Sequence, residues 1–293
     1  MNWIEYGKDI NLFSDFIKDI KIMNKSEKYR AVKLLINYFS KENILDIRNL
    51  PDTYKSRRDM LHALLDVYPP KEIDPVYLEL LERLLISESK EKLVTNIDDI
   101  DEVDKNIGIF KGDITTIKSD AIVNTANSKL LGCMKPLHAC VDNSIHSCAG
   151  PRLRLDCNKI IEKQGHLEYI GSAKITRGYC LPSKFVIHTV GPIILDETPT
   201  KEQEKQLSSC YISCLNIVKE IDMIKNIVFC CISTGVFGYP KEDATLLAVR
   251  TVKKWLKENP EKDLKVVFNV FKDSDEEIYR QALLNDNKFV YEK

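Results

Sequence analysis

The chain has 293 residues, of which 44% are hydrophobic and 30% charged, with a formal net charge of −1. This composition supports one large domain or two modest ones around a real core and excludes wholesale disorder. The near-neutral balance gives no global attraction to polyanions, so a nucleic-acid partner is not expected, and no apolar run of about 18 residues is present to form a membrane-spanning helix.

The first residues, MNWIEYGKDINLF, lack the basic-then-apolar pattern of an export signal, which points to the cytoplasm. Nine cysteines, an odd number without framework spacing, read as thiols in a reducing compartment. The sequence leaves the oligomeric state open, with a monomer as the expectation.

Residues 1–100 read as mostly helical. Ser26 stands where an N-cap is needed, and Val32, Leu35, Ile36 and Phe39 follow at helical spacing. Met60 to Val67, closed by Pro69 and Pro70, and Val76 to Ile86 are two further helical segments. No strand alternation or catalytic constellation occurs in this part, and His62 reads as structural. Residues 91–106, with the acidic run IDDIDEVD, read as a linker or an exposed connection, dividing the chain into a helical region, 1–100, and a second domain, 105–293.

The texture then changes. The short apolar runs IGIF, AIVNTAN, SKFVIHTVG, NIVFCCIS and LKVVFNVF alternate with helical stretches near 138–149, 151–164, 201–220, 241–258 and 274–283. Nearly continuous apolar strands separated by helices predict an α/β fold, a three-layer α/β/α arrangement on a parallel or mixed sheet.

Ligands in such sheets bind beyond the carboxyl ends of the strands. The strand AIV ends at Asn124, with Asn127 beyond it; a buried amide there both donates and accepts, which suits a ribose hydroxyl. The strand VFCCI runs into Ser233, Thr234, Gly235, Val236, Phe237 and Gly238, with a helix expected soon after Pro240. Two glycines among small hydroxyl residues allow a tight loop of inward N–H groups, a cradle for a diphosphate; the alternative is a plain strand–helix turn. Asp113, in KGDITTI, is placed either to accept from the exocyclic amine of a base or to cap a turn.

The segment LGCMKPLHACVDNSIHSCAG holds Cys133, His138 and Cys140 as C-x4-H-x-C. Thiolate with imidazole favours zinc over magnesium or calcium. Three ligands leave one position open for chemistry, unless His146, Cys148 or Cys157 closes the site; two incidental cysteines beside a surface histidine is the competing reading. Asp142 follows directly and could orient or deprotonate a water, hold a ribose hydroxyl, or cap the helix. His146, four residues on, would share its helical face. His188 in FVIHTVG reads as a satisfied core histidine or one that supports a site residue from behind, His166 carries no specific signal, and Cys210, Cys214, Cys230 and Cys231 read as packing.

The segments GDIT (112–115), IVNTAN (122–127), VDNSIHSCAG (141–150), GSAKITRGYCLPSKFVIHTVGP (171–192) and ISTGVFGYP (232–240) resemble, in order, those of the macrodomain family of ADP-ribose readers and erasers. The insertion GCMKPLHAC and the helical N-terminal region resemble the family's zinc-dependent subgroup. That resemblance implies a hydrolase releasing ADP-ribose from protein side chains, typically aspartate or glutamate. It implies Asp113 and Ile114 at the adenine, Asn124, Asn127, Val141 and Asp142 around the distal ribose, Ser233 to Gly238 at the diphosphate with Phe237 near that ribose, and Cys133, His138 and Cys140 as zinc ligands. Asp142 and Asn127 are the implied catalytic residues. The glycine run common before Val141 in ordinary family hydrolases is replaced here by the metal-binding insertion. A non-catalytic ADP-ribose reader, a hydrolase of another ADP-ribosyl substrate or of O-acetyl-ADP-ribose, and a purely structural zinc are the other readings open.

Overall fold

In the computed structural model, residues 1–16, 20–42, 50–196 and 198–285 are described. The N-terminal region holds α1 (Trp3–Tyr6), α2 (Lys25–Glu42), α3 (Tyr54–Asp66) and α4 (Pro75–Glu91). The cap of α2 is Asn24 rather than Ser26: Asn24 Oδ1 accepts the Glu27 amide at 3.0 Å while the Glu27 carboxylate accepts the Asn24 amide at 2.8 Å. This reciprocal pair satisfies two groups that a serine two residues later could not reach.

Residues 91–106 are not a bare linker. They hold β1 (Thr95–Asn96) and β2 (Glu102–Asp104), followed by β3 (Ile107–Lys111). Three residues with two carboxylates carry no periodic signal, and a short charged strand is what an exposed sheet edge tolerates. Then come β4 (Ile117–Lys118), β5 (Ala121–Ala126), α5 (Val141–Ala149), α6 (Pro151–Gln164), β6 (Ala173–Arg177), β7 (Phe185–Val190), α7 (Lys201–Glu220), β8 (Asn226–Phe229), α8 (Lys241–Glu258), β9 (Lys265–Val270) and α9 (Asp273–Asn285).

Seven strands form one sheet in the order β2-β3-β9-β8-β5-β7-β6. The five central strands are parallel, and β2 and β6 close the two edges antiparallel. Helices α7, α8 and α9 pack together on one face, and α5 and α6 lie on the other. The fold is the expected three-layer α/β/α arrangement with a mixed sheet. The strands β5, β7, β8 and β9 are nearly wholly buried because both faces are covered, while β3, next to the edge, is buried only at Ile107 and Gly108.

The helical region has its own apolar cluster, built from Val32, Leu35, Ile36, Phe39, Leu61, Leu81 and Leu84. The first dozen residues do not belong to it. Tyr6, Ile10 and Leu12 sink into the core of the sheet domain. The Tyr6 hydroxyl accepts the Ile175 amide at 2.7 Å and donates to the Ile175 carbonyl at 3.2 Å, on the open side of edge strand β6.

Candidate functional site

Because the central strands are parallel, the segments after β3, β5, β7 and β8 all emerge at one rim of the sheet. The segment after β5 crosses to α5 through residues 127–140, and the segment after β8 reaches α8 through residues 230–240.

Asn124 and His188 are register partners on β5 and β7, both fully buried. Asn124 Nδ2 donates to Asp142 Oδ1 at 2.8 Å and faces His188 Nδ1 at 3.2 Å. His188 Nδ1 therefore accepts, and its Nε2 carries the proton toward Thr176 Oγ1 at 3.0 Å. Burial drives the His188 imidazole down to about 3, so it is neutral. The expected core histidine is thus a satisfied one, and its hydrogen bonds orient the amide that holds Asp142. Burial pushes the Asp142 carboxyl up to about 6, against the opposing pull of the Asn124 amide and the Arg154 guanidinium.

Asp142 is not the helix cap. Cys140 is the N-cap of α5, its Sγ accepting the Asn143 amide at 3.4 Å. The helix begins at Val141, not 138, because 138–140 belong to the preceding loop. Asp142 is thereby free to turn inward. His146 approaches it to 3.5 Å across one turn, and neither His146 ring nitrogen makes a hydrogen bond among the described residues.

Cys133, His138 and Cys140 converge, with their donor atoms within 4.8 Å of one another. Cys133 Sγ and His138 Nδ1 are 3.4 Å apart. A tetrahedral zinc with its usual bond lengths needs donors roughly 3.4–3.8 Å apart, so this soft donor set fits a zinc ion with small adjustments. Burial, with the Cys133 thiol alongside, holds the Cys140 thiol above its ordinary range, a bias that a cation would reverse. Among the described residues, His146 and Cys157 group instead with His188 in a separate buried cluster, and neither joins the triad. Gly132, at φ +81°, begins this loop, and a Cβ there would stand 3.2 Å from the His146 ring and 3.3 Å from Arg154.

In the loop after β8, Ser233 adopts φ +65°, a left-handed conformation uncommon for a residue with a side chain. Its Oγ is buried without a hydrogen-bond partner among the described residues. A Cβ on Gly191, at the end of β7, would lie 2.0 Å from that Oγ, so only glycine fits beside it. Gly235, Val236 and Gly238 are exposed, Thr234 and Phe237 half-buried. Strand β8 ends at Phe229, so Cys230 and Cys231 lie in the loop rather than in the strand.

The other sequence-derived residues are placed less uniformly. Asn127 uses its amide to donate to the Gly132 carbonyl at 2.8 Å and to accept from the Lys129 amide at 2.9 Å, shaping the loop. Asp113 Oδ1 caps the turn at Thr115, at 2.9 Å to its amide, and Oδ2 lies 3.6 Å from Lys92. Ile114 is buried and Val141 half-buried. Sequence reasoning missed Thr176, Arg154, Gly132 and Gly191, whose roles exist only in the assembled site.

A Macro domain family model matches residues 123–248. A protein-ADP-ribose hydrolase of Staphylococcus aureus (strain MSSA476) is 43% identical over 263 residues, covering 89% of this chain and 98% of the relative. The chain belongs to the macrodomain-family protein-ADP-ribose hydrolases. A protein of the same name from Treponema medium is 40% identical over 263 residues, covering 88% of this chain and 99% of the relative. Among solved structures, a Trypanosoma brucei macrodomain in complex with ADP-ribose aligns with a TM-score of 0.58 at 28% identity, over 73% of this chain and 92% of that one. An Oceanobacillus iheyensis macrodomain with ADP aligns with a TM-score of 0.57 at 38% identity, over 65% of this chain and 97% of that one. Among the described residues of this macrodomain protein, no helix is long and apolar enough to cross a membrane.

Proposed function

We propose that the protein hydrolyses the bond between ADP-ribose and an aspartate or glutamate side chain of a modified protein, using zinc held by Cys133, His138 and Cys140. The observation that carries this reading is the coupling of metal loop to carboxylate: Cys140 caps the same helix that presents Asp142 two residues later, inward and with a raised pKa. The names of the relatives support a hydrolase, and the ADP-ribose complex of the Trypanosoma brucei macrodomain supports the ligand.

In this reading, residues 233–238 receive the diphosphate through backbone N–H groups, with the Ser233 hydroxyl as an added donor. Asp113 and Ile114 take the adenine. Asn127 and Val141 border the distal ribose, which Phe237 packs against. Zinc, when bound, supplies Lewis-acid polarisation of a ribose hydroxyl, the departing acyl oxygen or a water. Asp142 positions the attacking water and accepts its proton; a carboxyl near pKa 6 is a better base at neutral pH than an ordinary one. Asn124, fully buried, serves by fixing that carboxylate rather than by touching the ribose. Nine free thiols fit a reducing compartment, which supports a cytoplasmic site of action. The same reading keeps residues 105–293 as the macrodomain and 1–100 as its helical companion.

The test is turnover of an aspartate- or glutamate-linked ADP-ribosyl protein by wild type, Cys140→Ser and Asp142→Ala. Loss of about 100-fold or more in either variant is expected. Equal rates in all three would remove the zinc–carboxylate reading, and tight ADP-ribose binding without turnover in wild type would make the protein a reader.

A further inference from the structure

We infer that Asp66, the last residue of α3, is a positioning residue for the metal loop, so that the helical N-terminal region sets zinc affinity. The inference rests on the metal reading of Cys133, His138 and Cys140 above.

Asp66 is 1% exposed. Its Oδ2 accepts the backbone amide of Leu137 at 2.8 Å and the side-chain amide of Asn143 at 3.1 Å. Its Oδ1 accepts the Ser147 hydroxyl at 3.1 Å and lies 3.3 Å from His62 Nε2. Leu137 immediately precedes His138. Asn143 in turn donates from its side chain to the His138 carbonyl at 3.1 Å and from its backbone to Cys140 Sγ at 3.4 Å. One carboxylate from the helical region therefore holds the residue preceding one ligand directly and, through Asn143, reaches the carbonyl of that ligand and the sulfur of another.

The loop needs such a brace. Met134 and Leu137 both sit at positive φ, 53° and 54°, where residues with side chains are strained. Strain of this kind persists only where surrounding contacts over-determine the conformation. Within the loop, the backbone bonds are His138 N to Lys135 O at 3.2 Å and Cys140 N to His138 O at 2.9 Å. Neither satisfies the amide of Leu137; Asp66 does. Docking alone does not explain a buried carboxylate at this place, since an apolar residue would dock at lower desolvation cost. The helical region also makes separate contacts with the same domain: Arg154 Nη1 donates to the Leu65 carbonyl at 2.8 Å, and Glu82 on α4 pairs with Arg152 on α6. The Glu82–Arg152 pair holds the two parts together away from the ligands, whereas Arg154 lies close enough to Cys133 to feel its charge.

The experiment measures zinc affinity of full-length protein by competition with a chromophoric chelator, and the visible spectrum of the cobalt(II)-loaded protein. The variants are Asp66→Ala, Asp66→Asn and, as a docking control, Glu82→Gln. Loss of an outer-shell partner predicts zinc binding about 10- to 100-fold weaker in Asp66→Ala, with a shifted cobalt spectrum. Asp66→Asn keeps one oxygen for Leu137 and Asn143 and recovers part of the loss. Glu82→Gln stays within roughly twofold of wild type, as a site outside the network should. Wild-type affinity in Asp66→Ala, or in Asp66→Asn should the alanine variant not fold, overturns the inference. So does an equal loss in Glu82→Gln, which would reduce Asp66 to general docking. Absence of zinc binding in wild type removes this inference together with the metal reading, whereas tight binding that ignores Asp66 removes the inference alone.

Discussion

Asn124 and Asp142 meet at 2.8 Å, joining the middle of β5 to the first turn of α5 through one buried amide. The amide carries two protons, and they go to two acceptors on different elements: the Asp142 carboxylate and the His188 ring. Asn124→Ala therefore leaves a buried carboxylate short of its donor. A stability loss of about 1–3 kcal/mol is expected in urea unfolding, and turnover should fall by up to about 100-fold through misplacement of the carboxylate. An Asn124→Ala protein with wild-type stability would show that the amide contributes nothing to holding Asp142.

His188 and His146 are both buried, and burial drives both imidazoles below their ordinary range. The unfolded chain takes up protons on these residues below about pH 6.5, while the folded chain resists until far lower pH. The unfolded state then binds more protons, so stability must fall as pH drops from about 6.5 toward 3 and be fully present above that window. His188→Gln, which retains a donor and an acceptor, should show a shallower acid slope. Chemical denaturation at a series of pH values reads that slope directly, and an unchanged one would mean that His188 titrates normally in the fold.

Gly191 and Ser233 form a pair in which one residue's missing side chain houses the other's. Gly191→Ala should force Ser233 aside, costing about 1–3 kcal/mol in stability by overpacking. It should weaken ADP-ribose binding as measured by calorimetry. Adding Ser233→Gly removes the clashing Oγ and relaxes the positive φ, so the double variant should regain stability over Gly191→Ala alone. Additive losses would mean that the two positions are not coupled.

Chelation separates chemistry from binding. The cradle at 233–238 contains none of the three metal-compatible ligands. On the proposed reading, removal of zinc should abolish turnover while ADP-ribose still binds measurably through the diphosphate grip, with a weaker affinity only to the extent that the metal also holds a ribose hydroxyl. Added zinc should restore the rate. Full turnover after verified metal removal would make the ion structural or incidental.

Much of the sheet domain is readable from the chain because its signals are local. The helices at 151–164, 201–220 and 241–258 lie where their apolar spacing puts them, and the five central strands coincide with continuous apolar runs. Strand β6 is concealed by Lys174, a buried lysine that breaks the apolar texture of AKITR and is neutralised by Glu168 at 2.7 Å. Strand β2 is concealed by its charges and brevity. In the site, C-x4-H-x-C and Asp142 stand close in sequence and can be read together. Asp66 is 71 residues from the amide it holds, and no periodicity links them. Ser233 carries no mark of its left-handed backbone, which is imposed by the loop around it. The helix start was displaced from 138 to 141 by the same cause: a cysteine, an unusual cap, ends the loop.

The bond pair from Tyr6 to Ile175 has a consequence at the scale of the whole molecule. An edge strand with free amides and carbonyls invites another chain to add to the sheet. Here a single phenol occupies that invitation at the centre of β6, anchored by Ile10 and Leu12 behind it. The first dozen residues thus act as a seal against self-templating. A version lacking only the first dozen residues would keep Asp66 and every residue of the pocket and yet be prone to stack through β6, so solubility, rather than catalysis, would be the first property lost.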